Sequence, residues 1–348
     1  MLWQRATLRS ARELQRRVGF DAIHHLTWAG VRAPTFLGSL GPPLIGPIGG
    51  GETSPFSLRD GFDLRGGILE TLRDLSNATI TINPLVRGGL SRASIIFAST
   101  ADTRNLLRGP LKKNAWLLTT GNPNGAIGLT AYAVSNTTKA ALRWPASLLE
   151  GGSHRHPSLR DAFEENSKGA VHHTIVGSRP EEARLKADTL ARKINDSVDF
   201  ISWLPQNNLF ELYDSHDLLL FPSLHDSSGG VVLEALCHGM PVVCPDLGGP
   251  KDIVTSKAGV VIKTTGLNTT QAASNIANEV YNVFESPTTL TQFSSGAISR
   301  ASEFILPNRV ARFYQEALRF IEGDGTCSAP VSRSRAEAPV APFPADGA

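Results

Sequence analysis

Two carboxylates flank a loop of small residues in the second half of the chain. Asp226 lies in this loop, within residues 222–230, and Glu234 lies in the apolar segment that follows it. A loop of small residues before a helix exposes backbone N–H groups at the positive end of the helix dipole, where a phosphate group binds well. The pattern therefore predicts a phosphate site at the loop, with Glu234 beside it.

Glu234 is surrounded by apolar residues along the chain. These neighbours are Val231, Val232, Leu233, Ala235 and Leu236. A helix that is apolar on all sides is normally buried, and a buried carboxylate without partners is costly. We therefore expect Glu234 to be buried and matched by hydrogen-bond donors. An internal salt bridge is one way to satisfy it; the favoured interpretation is a ligand with hydroxyl groups, such as a ribose.

A few strong signals predict the elements around the loop. A buried strand is predicted to end at Phe221, and a short helix to begin near Gly230. Gly239 and Pro241 end this helix, because glycine accepts the left-handed conformation after the last turn and proline cannot continue a helix. A second buried strand is predicted at residues 242–244. The loop therefore connects a strand to a helix of one α/β unit.

Strands and helices alternate along most of the chain, which predicts an α/β fold with doubly wound parallel sheets. Ligands of such sheets bind beyond the carboxyl ends of the strands, where the loop lies. In the first half, strands are predicted at residues 20–27 and 43–48, and the second runs into Gly49, Gly50 and Gly51. Successive glycines let the backbone approach a ligand closely and can form an anion-binding nest; a tight turn is the alternative.

The middle of the chain carries weaker signals. Residues 67–92 are predicted to be helical, with a strand at residues 78–82 as the alternative. A strand at residues 115–119 and a helix at about residues 129–149 follow. The tail, residues 323–348, is rich in Pro, Ala and Ser and lacks enough large apolar residues to form a core, so it is predicted to be disordered.

The composition is that of an ordinary globular protein. The chain has 348 residues, 41% of them hydrophobic, and a formal net charge of +2. The length predicts about two domains, and neither the charge nor the aromatic residues indicate a nucleic-acid partner. The three cysteines have no metal-binding spacing, which indicates a reducing, cytoplasmic compartment. We see neither a signal peptide nor a membrane-spanning apolar run.

Residues 222–250 resemble the retaining glycosyltransferases of group 1, family 4. The signature of that family is an acidic pair with seven residues between its members, E-x7-E. Asp226 and Glu234 match its two positions, with the shorter carboxylate first. Upstream, residues 46–52 are similar to the N-terminal domain of polysaccharide-type members. The resemblance covers about residues 19–322.

The resemblance implies a GT-B fold, in which two Rossmann-like domains face a cleft and the C-terminal helix crosses back to the first domain. The implied units are a partial N-terminal, acceptor-side domain at residues 1–113, a sugar-nucleotide-binding domain at residues 114–322, and the tail. The first domain is expected to be incomplete, because the family's first strand and its glycine-rich turn would precede residue 1. A truncated or a divergent member fits this pattern.

The resemblance also implies roles for individual residues. Glu234 is expected to hold the ribose hydroxyls, Asp226 to face the donor sugar, and the N–H groups of residues 228–231 to cradle the diphosphate. His24 and His25 end a strand of the first domain, where a histidine could act in catalysis; a structural histidine is the alternative. The implied donor-binding residues are Glu234, His225, Ser227, Ser228, Gly229, Gly230, Val231, Gly49, Gly50 and Gly51.

The implied activity is transfer of a sugar from a nucleotide-sugar donor to a saccharide or lipid-linked acceptor in polysaccharide or glycolipid biosynthesis. No metal and no other cofactor is expected, because the helix N-terminus and basic side chains neutralise the leaving diphosphate. The basic helix predicted at residues 5–18 could also rest on the inner face of a membrane as a peripheral contact; a solvated helix is the alternative.

One departure from the family keeps two alternatives open. An Arg and a Lys are expected after the first strand of the second domain, but no basic residue follows residues 115–119 closely. Lys139 or Arg143 could substitute, and so could Arg108 with Lys113. The alternatives are a binding or scaffold protein that has lost catalysis and, less favoured, a sugar-nucleotide epimerase.

Overall fold

The computed structural model of the chain contains two parallel β-sheets, each covered by helices. It describes residues 2–26, 30–33, 35–80, 82–113, 115–117, 139–143, 172–177 and 182–321. The tail predicted to be disordered, residues 323–348, lies outside the described residues. Cys237 and Cys244 are buried and unbridged.

The first sheet has four parallel strands in the order β1-β2-β3-β4. Its elements are α1 (Leu2–Val18), β1 (His24–His25), β2 (Leu44–Ile48), α2 (Leu64–Thr79), α3 (Pro84–Leu90), β3 (Ile95–Ala98), α4 (Ala101–Leu106), α5 (Pro110–Lys113) and β4 (Ala115–Leu117). The described residues between 2 and 117 are called the first unit below.

The second sheet has six parallel strands in the order β10-β9-β8-β5-β6-β7. Its elements are β5 (Lys139–Arg143), β6 (His172–Val176), α6 (Glu182–Ala191), β7 (Val198–Ile201), α7 (Gln206–Asp214), β8 (Leu218–Leu220), α8 (Gly230–Cys237), β9 (Val242–Pro245), α9 (Pro250–Ile253), β10 (Gly259–Ile262), α10 (Thr269–Phe284) and α11 (Pro287–Ser302). The described residues between 139 and 302 form the second unit.

Both faces of the second sheet are covered, as the prediction of a doubly wound sheet requires. Successive strand residues point to opposite faces. In β8, Leu219 joins an apolar cluster with α7, α8 and α11, whereas Leu218 and Leu220 join a cluster with α10. All three side chains are fully buried. The parallel α/β architecture predicted from the sequence is therefore confirmed.

Several predictions about single elements are wrong. The strand predicted at residues 20–27 is only two residues long, and the alternative strand at residues 78–82 is absent because α2 extends to Thr79. The helix predicted at about residues 129–149 is contradicted at β5, which is the fourth strand in the order of the second sheet. The remainder of that predicted helix lies outside the described residues.

The strand at residues 115–119 is also placed differently from the prediction. We expected it to begin the second domain at residue 114, but β4 pairs with β3 through Ile96 and Ala115 and so belongs to the first sheet. Short strands carry no signal that selects the sheet they join, because the choice depends on contacts with distant residues. The exact position of a domain boundary stays a prediction.

The last helix, α12 (Leu306–Ile321), returns from the second unit to the first sheet. Its residues Phe313 and Ala317 pack against Leu44 of β2 and against Ile95 and Phe97 of β3. The centroids of the Phe313 and Phe97 rings are 4.2 Å apart. The helix crossing that the resemblance implied is therefore present.

The two units also share an apolar cluster. Leu58 of the first unit packs with Leu224, Leu247 and Ala272 of the second. Beside this cluster, the backbone N–H of Thr269 donates to the carboxylate of Asp60 at 3.2 Å. In the part of the chain that the structure describes, no helix is both long and apolar enough to cross a lipid bilayer.

Replacing Phe313 by alanine tests whether α12 stabilises the first sheet. Phe313 is 5% exposed, and loss of a buried Phe side chain typically lowers the free energy of unfolding by about 3–5 kcal/mol. The control is Leu318→Ala in the same helix, because Leu318 is 51% exposed and an exposed substitution changes stability by about 0.5 kcal/mol or less. Urea denaturation measures both; equal effects of the two variants would contradict the docking of α12.

Candidate functional site

The loop between β8 and α8 is organised by the side chain of Asp226. Its Oδ1 accepts hydrogen bonds from the backbone N–H groups of Ser228, at 2.9 Å, and Gly229, at 2.5 Å. The backbone N–H of Asp226 donates to Oγ of Ser223 at 3.2 Å. Short polar side chains favour such local bonds to the backbone, which bend the chain before a helix begins. The loop therefore forms where its sequence predicts.

Two glycines let this loop pack against the loop after β9. Gly229 has φ of 62°, and a Cβ there would lie 2.2 Å from Cδ1 of Ile253. Gly248 has φ of 58°, and a Cβ there would lie 2.2 Å from the carbonyl oxygen of Asp226. That oxygen accepts the N–H of Gly249 at 2.7 Å. Only glycine fits both positions, because an L-residue is strained at positive φ and its Cβ would overlap these neighbours.

The N-terminus of α8 retains free N–H groups for an anion, although fewer than the sequence predicts. The N–H groups of Ser228 and Gly229 are occupied by Asp226, and that of Gly230 lies 3.4 Å from Oγ of Ser228. No side chain caps the helix. Among the described residues, no acceptor binds the N–H groups of Val231 and Val232. These two groups point out of the helix end, where the dipole favours negative charge.

The second oxygen of Asp226, Oδ2, has no hydrogen-bond donor within the described part of the chain. Burial raises the pKa of Asp226 above its usual value, and the nearby negative charge of Glu52 raises it further. The two N–H groups at Oδ1 oppose this rise in pKa. Asp226 therefore shapes the loop with Oδ1, while Oδ2 has no hydrogen-bond donor among the described residues.

Glu234 is half-buried, so it is more exposed than the sequence predicts. It lies on a stripe of α8 that is partly open, together with Val231 and His238, whereas the other faces of the helix are buried. Residues three and four apart in a helix share a face. The partly open face of α8 therefore begins beside the free N–H groups at the start of the helix. The hydroxyl of Tyr213 donates to Oε2 of Glu234 at 3.4 Å. The Tyr213 hydroxyl is therefore one of the hydrogen-bond donors that we expected for Glu234.

The glycine-rich loop of the first unit touches the Asp226 loop, but two of its N–H groups are occupied. A Cβ on Gly49 would lie 3.1 Å from Oγ of Ser227. The N–H of Gly50 donates to Oε2 of Glu52 at 3.0 Å, and that of Gly51 donates to Oγ1 of Thr103 at 3.1 Å. This arrangement does not favour the anion-binding nest predicted here. The lack of a side chain at Gly49 instead permits the close contact with Ser227.

Glu52 is the buried acid of that glycine-rich loop. It is 3% exposed, and its Oε1 accepts the hydroxyls of Thr100 at 2.6 Å and Thr103 at 2.9 Å. The same Thr100 hydroxyl accepts a hydrogen bond from the N–H of Thr103 at 3.1 Å and so caps α4. A carboxylate with neutral donors remains a source of negative potential for the groups around it.

The predicted catalytic His24 has partners in β2 and α12. Its Nε2 lies 2.8 Å from the carbonyl oxygen of Gly46, and its Nδ1 lies 2.9 Å from the hydroxyl of Tyr314. Its ring stacks on Phe313 with centroids 4.9 Å apart. Burial lowers the pKa of His24, which favours a neutral ring that donates to Gly46 and accepts from Tyr314. These contacts anchor α12; the catalytic role stays a prediction.

His25 lines a cavity of about 250 Å³ between α1, the end of β1 and residues 35–37. Gln4, Thr7 and Phe36 also line this cavity. It does not include the residues of the Asp226 loop. The structure therefore does not bring His25 together with the predicted donor site, and its catalytic role also stays a prediction.

The sequence did not indicate Glu70, which contacts the loop from the first unit. Its Oε1 accepts Nε2 of His225 at 3.0 Å and the N–H of Ser54 at 2.8 Å. The side chains of His225 and Glu70 are 6% and 4% exposed. Burial acts to raise the pKa of Glu70, but the hydrogen bond and charge of His225 outweigh it and lower the pKa to about 2. A single glutamate within a helix forms no recognisable sequence motif, so its contact with His225 is seen only in the folded structure.

A second set of polar contacts joins the units beside the Asp226 loop. Nζ of Lys251 in α9 lies 2.8 Å from Oδ1 of Asp102 in α4. The carboxylate of Asp252 accepts the N–H of Ala101 at 3.2 Å. Burial raises the pKa of Asp252, as do the negative charges of Asp102 and Glu52, while the N–H of Ala101 and Lys251 lower it.

The topology also selects between the cations proposed to replace the family's Arg and Lys. In β5, Leu142 pairs with Leu220 of β8, so Arg143 ends its strand level with the start of the Asp226 loop. Lys139 begins the same strand and therefore lies at the amino ends of the parallel strands, away from the Asp226 loop. Arg108 lies in the first unit, before β4. Of these residues, Arg143 is the one whose backbone lies at the site.

The chain resembles known proteins both in sequence and in fold. The family model for glycosyl transferases group 1 matches residues 155–295. The chain is 28% identical over 131 residues to a 2-deoxystreptamine glucosyltransferase of Streptomyces kanamyceticus, a match that covers 37% of this chain and 33% of that protein. It is 35% identical over 89 residues to a GDP-mannose-dependent alpha-mannosyltransferase of Mycobacterium tuberculosis, covering 26% and 22%. The chain thus spans a third or less of the length of these curated relatives.

Solved structures extend the likeness to the fold. The chain has a TM-score of 0.59 and 15% identity to sucrose-phosphate synthase from Thermosynechococcus elongatus, over 92% of this chain and 78% of that one. It has a TM-score of 0.52 and 16% identity to the pneumococcal O-GlcNAc transferase GtfA in complex with UDP and GlcNAc, over 69% and 48%. The GT-B fold and the resemblance to group 1 glycosyltransferases are therefore confirmed.

Replacing Gly229 by alanine should destabilise the loop, whereas the same change at Gly230 should not. Left-handed backbone costs an L-residue about 1–2 kcal/mol, and the new Cβ of Gly229→Ala would overlap Ile253. At Gly230 the nearest atom would be 3.8 Å away, and alanine in a helix gains up to about 1 kcal/mol over glycine. Urea denaturation measures both free energies of unfolding; equal values would contradict the loop geometry.

Replacing Glu70 by glutamine should remove a pH-dependent part of the stability. Since the folded-state pKa of Glu70 is lowered from 4.5 to about 2, its contribution is fully present above about pH 4.5 and is lost as the pH falls towards 2. The difference in Tm between wild type and Glu70→Gln should therefore shrink as the pH falls from about 5 to 3. Glu303→Gln is the control, because Glu303 is 57% exposed; a difference independent of pH would contradict the assignment.

Proposed function

We propose that this chain, which carries a group 1 glycosyltransferase segment, moves a sugar from a nucleotide-sugar donor to a saccharide or lipid-linked acceptor and retains the anomeric configuration, as in family 4. The observation that carries the proposal is the Asp226 loop with the open N-terminus of α8, at the carboxyl ends of parallel strands. Ligands of parallel α/β sheets bind at this edge.

In the proposed reaction the bond between the anomeric carbon and the diphosphate oxygen breaks, and the diphosphate leaves with the electron pair. The acceptor hydroxyl oxygen forms the new bond to the anomeric carbon, and its proton passes to the departing diphosphate oxygen. The N–H groups of Val231 and Val232, together with the dipole of α8, would stabilise the leaving diphosphate. Arg143, at the end of β5, is proposed to supply a positive charge at the same edge.

The two carboxylates have separate roles in this proposal. Oδ2 of Asp226 accepts a hydroxyl of the donor sugar, while Oδ1 keeps the loop in place. Glu234, on the open stripe of α8, accepts the ribose hydroxyls and shares this position with the hydroxyl of Tyr213. Hydrogen bonds to charged groups contribute about 1.5–3 kcal/mol each, which is enough to orient the donor.

The proposal includes transfer without a metal ion, a cytoplasmic location and an acceptor used in polysaccharide or glycolipid assembly. The UDP and GlcNAc bound to the pneumococcal O-GlcNAc transferase support a nucleotide-sugar donor. A peripheral contact with the inner face of the membrane is supported by α1, whose five arginines, Arg5, Arg9, Arg12, Arg16 and Arg17, are all exposed. Basic side chains in this arrangement attract anionic lipids.

A binding or scaffold protein without catalysis is the second candidate. Two N–H groups of the loop are occupied by Asp226, and two of the glycine-rich loop by Glu52 and Thr103, so fewer donors remain for a diphosphate. Such a protein would bind a nucleotide sugar and release it unchanged.

Incubation with UDP- and GDP-sugars in the presence of EDTA tests the proposal. Wild type should transfer sugar to a saccharide acceptor or hydrolyse the donor, and Asp226→Asn and Glu234→Gln should each lower kcat/KM by about 10- to 100-fold. Asp226→Asn is informative because its amide oxygen can still accept the N–H groups of the loop. The control is Glu211→Gln on the exposed side of α7. Nucleotide binding without turnover would favour the scaffold; neither binding nor turnover would refute the proposal.

A further inference from the structure

Glu70 is a carboxylate of the first unit that hydrogen-bonds the proposed donor loop of the second. It lies in α2, far from the loop in sequence, and its Oε1 is 3.0 Å from Nε2 of His225. His225 directly precedes Asp226. Because both side chains are almost fully buried, water does not compete for this hydrogen bond, and the bond fixes the distance between the two units at this point.

Glu70 is itself held by several groups of the first unit. Its Oε1 accepts the N–H of Ser54 at 2.8 Å, and the guanidinium of Arg59 lies 3.8 Å away. Its Oε2 is 3.8 Å from Nε of Arg73. Arg59 is fixed in turn by Asp74, at 2.6 Å. A carboxylate with this many partners has little freedom, so it presents a fixed acceptor to His225.

The loop has a second attachment, within the second unit. The carbonyl oxygen of Asp226 accepts the N–H of Gly249, a residue of the second unit. His225 and Asp226 are therefore attached to different units, His225 to the first and Asp226 to the second. Without the Glu70 contact, the loop would meet the first unit only through the packing of Leu224 on Leu58 and the close approach of Gly49 to Ser227, among the contacts described above.

We propose that Glu70 is a positioning residue for nucleotide-sugar binding: acting through Nε2 of His225, it holds Asp226 in the orientation that the donor requires. The donor site of the second unit is then complete only while the first unit is docked against it. The inference rests on the proposed function for the identity of the ligand, but the geometry of the loop can be tested without any ligand.

Nucleotide affinity tests the proposal, with UDP and GDP as the probes and calorimetry as the readout. Glu70→Ala should raise the Kd of the nucleotide and the KM of the donor by about tenfold. Glu70→Gln should have a smaller effect, because its amide oxygen can still accept a hydrogen bond from Nε2–H of His225. The double variant Glu70→Ala/His225→Ala should bind the nucleotide no more weakly than His225→Ala alone, because Glu70 acts through His225. The control is Lys251→Met, which breaks the ion pair with Asp102 between the same two units.

Two results would overturn the proposal in this experiment. Independent effects, in which the double variant loses the product of the two single losses, would show that Glu70 does not act through His225. An equal loss of affinity in Lys251→Met would show that any weakening of the contact between the units has the same effect, so that Glu70 has no specific role.

Hydrogen–deuterium exchange of the free protein separates this inference from the proposed function. In Glu70→Ala, the peptide that contains residues 222–230 should exchange faster by about fivefold or more, whereas Lys251→Met should leave it unchanged. If wild type binds neither nucleotide but the peptide responds as expected, the proposed function fails and the positioning role of Glu70 stands. Unchanged exchange in Glu70→Ala overturns the inference, whatever the nucleotides do.

Discussion

The candidate site depends on one oxygen atom, Oδ1 of Asp226. By accepting the N–H groups of Ser228 and Gly229, it forces the chain through the left-handed turn at Gly229 from which α8 starts. The helix then begins without a side-chain cap, and its first free N–H groups, those of Val231 and Val232, face outward. The residue that is proposed to bind the sugar through Oδ2 therefore also shapes the start of α8 through Oδ1.

Negative charge is the second constraint on this region. Glu52, Asp226 and Asp252 are close enough that Glu52 raises the pKa of both other acids. The proposed diphosphate would add further negative charge, which the dipole of α8 would offset in part. The contact of His225 with Glu70 supplies a hydrogen-bond donor to a buried acid beside this loop.

The parts of the site that follow local rules were predictable from the sequence. Gly239 ends α8 with φ of 69°, as a glycine after a helix should, and the small residues before α8 indicate the loop. The parts that depend on distant contacts were not predictable. β5 contains two alanines between Lys139 and Arg143, which suit a helix, yet the strand lies inside the second sheet because neighbours on both sides pair with it. Glu70 has its significance only through His225, which the chain brings to it from far away.

The return of α12 to the first sheet has a consequence for the order in which the protein forms during synthesis. The face of β2 and β3 that receives Phe313 and Ala317 is made early, but the helix that covers it leaves the ribosome only after the whole second sheet. Contacts between residues so distant in sequence form late and slow the search for the native state. Until then, Leu44, Ile95 and Phe97 lack the apolar cover that Phe313 and Ala317 give them in the folded protein.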